Sequence, residues 1–125
     1  MAAATEVYVE IANQPGSLGV VSQALGREGI NIDGFGVWND CARLLVGDAD
    51  RALEILRSEG FVCGTRQVLR LDVPDQPGTL AELARELGRA GINIEHAYTV
   101  TPRDDDACAF VIAVIDPRVA EEALG

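Results

Sequence analysis

Asn13-Gln14-Pro15-Gly16-Ser17-Leu18 returns sixty-two residues later as Asp75-Gln76-Pro77-Gly78-Thr79-Leu80, and Gly29-Ile30-Asn31-Ile32 returns at the same offset as Gly91-Ile92-Asn93-Ile94. Between residues 14–32 and 76–94, 11 of 19 positions are identical, with no gap. An ungapped match of that length marks a duplication, and internal repetition decides how the rest of a chain is organised. The expected copies are residues 5–66 and 67–125.

Each copy reads as the same series of elements. Val7, Val9 and Ile11 alternate with Tyr8 and Glu10, and Leu69, Leu71 and Val73 alternate with Arg70 and Asp72. A period of two predicts a strand with one buried face. Pro-Gly punctuates the chain, and Ser17 and Thr79 stand where helix N-caps are expected. Leu18, Val21 and Leu25, matched by Leu80, Leu83 and Leu87, have helical spacing. Gly29 and Gly91 fall where a helix end favours a residue that tolerates positive φ. Second strands are expected over 30–38 and 92–101, third strands over 41–46 and 108–115, and second helices over 49–58 and 117–124. A further strand, about 61–67, closes the first copy and leads almost directly into the second. The order β-α-β-β-α-β is the ferredoxin-like arrangement of an α+β fold. The second copy stops at Gly125 without its fourth strand. A unit of about sixty residues is marginal alone, so the copies are expected to pack as a pseudo-dimer. A swapped or borrowed edge, or dimerisation of the chain, is the expected consequence of the missing strand.

Composition narrows the function. In 125 residues, 20 acidic against 10 basic side chains give a net charge of −10. Such a surface repels phosphate backbones and anionic lipid, which argues against nucleic acid and membranes as partners. The longest apolar run, 109–115, is far short of a bilayer span, and the first six residues lack the features of a secretory leader. A cytoplasmic location is expected. Three cysteines without C-x-x-C spacing and a single histidine, His96, offer neither a disulfide framework nor a zinc set nor a His-based relay. No cofactor, metal or enzymatic activity is expected.

The doubled pair of motifs, Asn13–Leu18 with Gly29–Ile32 and Asp75–Leu80 with Gly91–Ile94, resembles the signature of an ACT domain, twice over, from about Glu6 to Ala123. The chain is similar to stand-alone proteins built of two ACT domains. The resemblance implies a regulatory module that binds an amino acid, as in the control regions of aspartate kinase, phosphoglycerate dehydrogenase and the acetolactate synthase small subunit. It also implies a ligand held at the interface between two such domains, homo-oligomerisation as a dimer, and a regulated enzyme as partner. Asp75 in place of Asn13 departs from internal symmetry and predicts inequivalent sites.

The residues themselves support a ligand turn in physical terms. Residues 13–18 and 75–80 lead from a strand into a helix, whose first N–H groups and dipole favour an anion such as a carboxylate. The candidate ligand residues are Asn13, Gln14, Gly16, Ser17, Leu18 and Asn31 in the first copy, and Asp75, Gly78, Thr79, Leu80 and Asn93 in the second. Gly16 and Gly78 allow close approach to the backbone. Asn31 and Asn93 offer both donors and acceptors to a zwitterion; the resemblance gives them, with Asn13, a ligand-holding role. The plain alternatives are a turn that needs Pro-Gly only for shape and an Asn that caps the preceding helix. His96, Tyr98 and Trp38 read as packing or pocket-wall residues, and Asp104–Asp106 as a solvated acidic turn. The competing function is a ligand-free interaction subunit resembling the two-ACT repressor of the glycine cleavage system.

Overall fold

The computed structural model describes residues 2–125, with strands and helices in the order β1 (Ala2–Glu10), α1 (Ser17–Arg27), β2 (Ile32–Trp38), β3 (Cys41–Val46), α2 (Ala49–Ser58), β4 (Cys63–Pro74), α3 (Thr79–Arg89), β5 (His96–Val100), β6 (Ala107–Ala113) and α4 (Pro117–Leu124). These are the mixed α and β elements expected of the repeated β-α-β-β-α-β series. The chain divides into two compact units, Thr5–Arg66 and Gln67–Gly125, with residues 2–4 grouped with the latter. The start of β1 is thus grouped with the second unit.

In the first unit β3 lies antiparallel between β1 and β2, with Val7 opposite Leu44 and Phe35 opposite Leu44 on the other side. Val7 and Val9 on one face of β1, with Ile11 just beyond its end, form a core with Val21 and Leu25 of α1 and Ala52 and Leu56 of α2. Burying each large aliphatic side chain contributes about 1.5–3 kcal/mol. In the second unit β6 lies between β4 and β5, and Leu69, Leu71, Leu83, Leu87, Ile112 and Val114 form the matching core. Gly29 and Gly91 both adopt φ 74, at the turns that end α1 and α3.

Four expectations are corrected. Residues 61–67 and the first strand of the second copy are not separate strands; Cys63–Pro74 is one continuous strand of 12 residues, because no turn residue interrupts the alternation. Ser17 and Thr79 are not N-caps. Gly16 and Gly78 hold those positions in the left-handed conformation, and no side chain caps either helix. The second strands begin later than expected, at Ile32 and His96, since residues after each positive-φ glycine first return to the helix end: Ile30 N–H donates to Leu25 O and Ile92 N–H to Leu87 O. The third strand of the second copy spans 107–113 rather than 108–115, ending before Asp116 takes up its role as N-cap of α4.

Candidate functional site

The two strand-to-helix turns have the same backbone. Gln14 N–H donates to Ala12 O (2.9 Å) and Ser17 N–H to Gln14 O (3.3 Å); Gln76 N–H donates to Pro74 O (3.1 Å) and Thr79 N–H to Gln76 O (3.3 Å). Gly16 sits at φ 88 and Gly78 at φ 91, a conformation that a Cβ makes costly. The turn therefore consumes the N–H groups of Ser17 and Thr79. Those of Leu18 and Gly19, and of Leu80 and Ala81, remain on the first helical turn, where the helix itself has no acceptor for them. With no side-chain cap, the positive end of each dipole faces outward.

The side chains differ between copies. The Thr79 hydroxyl turns back to donate to Pro74 O at 2.9 Å. Asn13, Gln14, Asp75 and Gln76 are exposed, as is Leu80, while Leu18 is half-buried. Leu80 carries helical spacing but points off the core, because only Leu83 and Leu87 of α3 reach it. Beside the second turn lies a cleft of about 290 Å³, with Leu71, Val73, Leu83 and Leu124 as apolar wall and Thr79, Glu82 and Glu86 at its polar side.

Asn31 and Asn93 are not brought to their own turns. Each follows the C-terminal end of a helix whose N-terminus carries the turn, and an 11-residue helix is about 16 Å long. Asn31 instead belongs to a polar cleft of about 340 Å³ lined by Gly29, Ile30, Asp33, Gly47, Asp48 and Arg51. Its Nδ2 donates to Asp33 Oδ1 at 2.8 Å, while Arg51 reaches Glu28 at 3.5 Å and Asp48 accepts the Arg51 N–H as N-cap of α2. Asn93 is exposed.

Two buried ionic groups escaped the sequence reading. Glu6, wholly buried, accepts from Arg43 Nη1 at 2.9 Å, and the Arg43 guanidinium lies 5.8 Å from the centre of the Tyr8 ring. Arg70, also buried, donates to both carboxylate oxygens of Asp72 (3.1 and 3.2 Å) and to Thr101 O (2.8 Å). Hydrogen bonding from Arg70 holds the Asp72 carboxyl below its ordinary value, outweighing the opposing effect of burial. The cue was present in the strand alternation: Tyr8 faces Arg43 directly across the ladder, where a cation can reach an aromatic ring. His96 and Tyr98, two apart on β5, stack with centroids 6.3 Å apart and planes 6° from parallel. The Trp38 ring covers Gly36, where a Cβ would overlap it. Asp104 O accepts from Ala107 N–H in the acidic hairpin turn. Among the described residues no group of His, Cys, Asp and Glu is arranged to hold a metal ion, and no helix is long and apolar enough to cross a membrane.

Comparison with known families decides the identity of the second unit, since the ACT domain model matches residues 67–125. Residues 67–125 form an ACT domain. The turn Asp75–Leu80 lies within the matched residues. No curated protein sequence matches the chain. Among solved structures, protein BT0572 from Bacteroides thetaiotaomicron is similar at 25% identity and a TM-score of 0.88, covering 98% of this chain and 86% of that one. The ligand-free regulatory subunit of aspartate kinase from Thermus thermophilus is similar at 23% identity and a TM-score of 0.69, over 99% of this chain and 95% of that one. Its counterpart from Thermus flavus gives 22%, 0.64, 98% and 93%. The last two likenesses are of fold.

Proposed function

We propose that the chain is an amino-acid-binding regulatory protein, made of an ACT domain and a first unit, residues 5–66, that is a second ACT copy. The observation that carries this reading is the doubled turn: at Gly16 and at Gly78 the same left-handed glycine opens an uncapped helix. A ligand carboxylate fits the N–H groups of Leu18 and Gly19, or of Leu80 and Ala81, supported by the helix dipole. Asp75, unlike Asn13, cannot donate when ionised and suits an ammonium, so the two turns differ in what they prefer. The ACT match of residues 67–125 and the likeness to aspartate kinase regulatory subunits support a regulatory role, non-catalytic and exercised on a partner enzyme by a homodimer.

One observation favours the ligand-free interaction subunit. The Asn31 amide already donates to Asp33 and the Thr79 hydroxyl to Pro74, so two candidate ligand donors are satisfied within the protein. Thermal unfolding against the twenty amino acids separates the readings. A ligand at a hundred times its Kd adds about 2.7 kcal/mol to stability, an easily measured rise in Tm. A flat response to all twenty favours the interaction subunit.

A further inference from the structure

Glu82, Arg85, Glu86 and Arg89 are all the charged residues of α3, and with Gly78 and Ala81 they line one shallow groove of about 370 Å³ along its outer face. Leu83 and Leu87 turn to the core on the other side of the helix. Ala81, Ala84 and Gly88 are exposed beside the four charges, and residues that small let a second helix come close. The face is neutral, two carboxylates against two guanidinium groups, on a chain whose net charge is −10. Self-repulsion between two copies is therefore least where this face is turned to its like.

The order of these charges does not favour the helix by itself. Glu82 and Glu86 are four apart, as are Arg85 and Arg89, and like charges at that spacing destabilise a helix slightly. A solvated helix gains from the opposite order, an acid four residues before a base. None of the four makes an ion pair among the described residues. Arg27 and Arg51, on the helices of the first unit, do: they reach Glu59 at 3.3 Å and Glu28 at 3.5 Å. At the corresponding positions of α1 stand Val20, Gln23, Ala24 and Arg27, so the pattern is absent from the other copy. What the pattern has is self-complementarity. Taken in reverse with every sign changed, Glu82-Arg85-Glu86-Arg89 gives the same charges at the same spacing.

We propose that the outer face of α3 docks the same face of a second copy of this chain, the two helices running antiparallel about a two-fold axis between Arg85 and Glu86. Glu82 then meets Arg89 of the partner subunit, and Arg85 meets Glu86 of the partner subunit. The axis repeats both contacts, as an isologous interface requires. Residues 82 to 89 span about 10 Å of helix, short enough for all four ion pairs to form along one straight seam. This interface is that of the homodimer proposed above, and it rests on that reading. Exposed ion pairs each contribute little, and a seam one helix long is small beside a standard interface. The dimer is accordingly weak and salt-sensitive, with a Kd of about 10–100 µM at low salt.

Sedimentation velocity of the 125-residue chain, up to about 1 mM protein, should show a monomer–dimer equilibrium that weakens about tenfold between roughly 50 mM and 500 mM salt. Two double variants then make the face of one sign, Glu82→Arg with Glu86→Arg and Arg85→Glu with Arg89→Glu. Circular dichroism should show each folded, each should be monomeric alone, and their equimolar mixture should dimerise at least as well as wild type. Milder changes keep the test decisive if a one-sign helix unfolds: Glu82→Arg alone should be monomeric, and adding Arg89→Glu to it should restore the dimer. The proposal is overturned by a wild type that stays monomeric at about 1 mM, by one-sign variants that dimerise alone, or by a mixture that stays monomeric. A wild-type dimer indifferent to all these changes refutes the α3 interface and leaves the homodimer standing, while thermal unfolding with amino acids tests the ligand reading separately.

Discussion

Gly78 and Gly88 lie ten residues apart, at the two ends of α3, and their replacement by alanine is expected to change stability in opposite directions. A Cβ built at either position meets no atom within 4 Å, so packing and overlap drop out and the backbone decides. Gly78 sits at φ 91, and an L-residue held in the left-handed region costs about 1–2 kcal/mol. Gly88 has ordinary helical φ, and replacing a helical glycine by alanine gains about 0.5–1 kcal/mol by restricting the unfolded chain. The two variants should therefore differ by about 1.5–3 kcal/mol, with wild type between them. At about 3–5 °C per kcal/mol for a chain of this size, the melting temperatures separate by roughly 5–15 °C. Urea unfolding is the cleaner assay, because an unchanged m-value shows that only stability has moved. Gly78→Ala matching or exceeding wild type would refute the left-handed cap. Gly88→Ala falling below wild type would refute the open surroundings assigned to it. The first result matters for function as well, since the same φ holds the uncapped helix end where a carboxylate is proposed to bind.

Leu25→Ala, at a fully buried position in the first unit, should cost about 2–5 kcal/mol by urea unfolding. Asp72→Asn leaves buried Arg70 with one amide oxygen in place of two carboxylate oxygens and with no opposing charge beside it, and should cost about 1–3 kcal/mol at pH 7. Because the folded carboxyl titrates below the ordinary 3.8, its contribution is present above that value and lost as pH falls through the folded one. The gap between wild type and variant, read from unfolding curves across the acid range, should therefore close at low pH; a gap that stays constant argues against the pairing. Burial raises the Cys63 thiol above 9.0, and the nearby Arg57 charge partly offsets it. In a Cys41→Ser, Cys108→Ser background the alkylation rate should have its midpoint above 9.0, and Arg57→Ala should push that midpoint higher still. Asn31→Ala should leave folding intact, since it removes only the exposed contact to Asp33. If Asn31 holds a ligand, calorimetry should show about a tenfold or greater loss of affinity for each hydrogen bond to a charged group.

Much of the fold was legible because it is set by chain neighbours. The helices at 49–58 and 117–124, the third strand at 41–46 and the positive φ of Gly29 and Gly91 all follow from spacing and residue type within a few positions. The repeat itself is visible in the sequence at a single offset. The shape of the candidate turns was legible for the same reason, as Pro-Gly before an apolar helix. What the side chains do there was not: the Asn31 amide meets Asp33, and the Thr79 hydroxyl meets Pro74, through local alternatives to a ligand that spacing does not rank. Burial was decided only in three dimensions. Arg70 occupies a position that alternation assigns to solvent, yet β5 and its following turn bring Thr101 O over it. Leu80 has the spacing of a core residue and is exposed because the core needs only Leu83 and Leu87. Leu56 and Leu124 each lie eight residues after the Asp that caps their helix, Asp48 and Asp116. Phe61 packs against the cluster that holds Leu56, because a side chain's burial depends on what the rest of the chain lays over it.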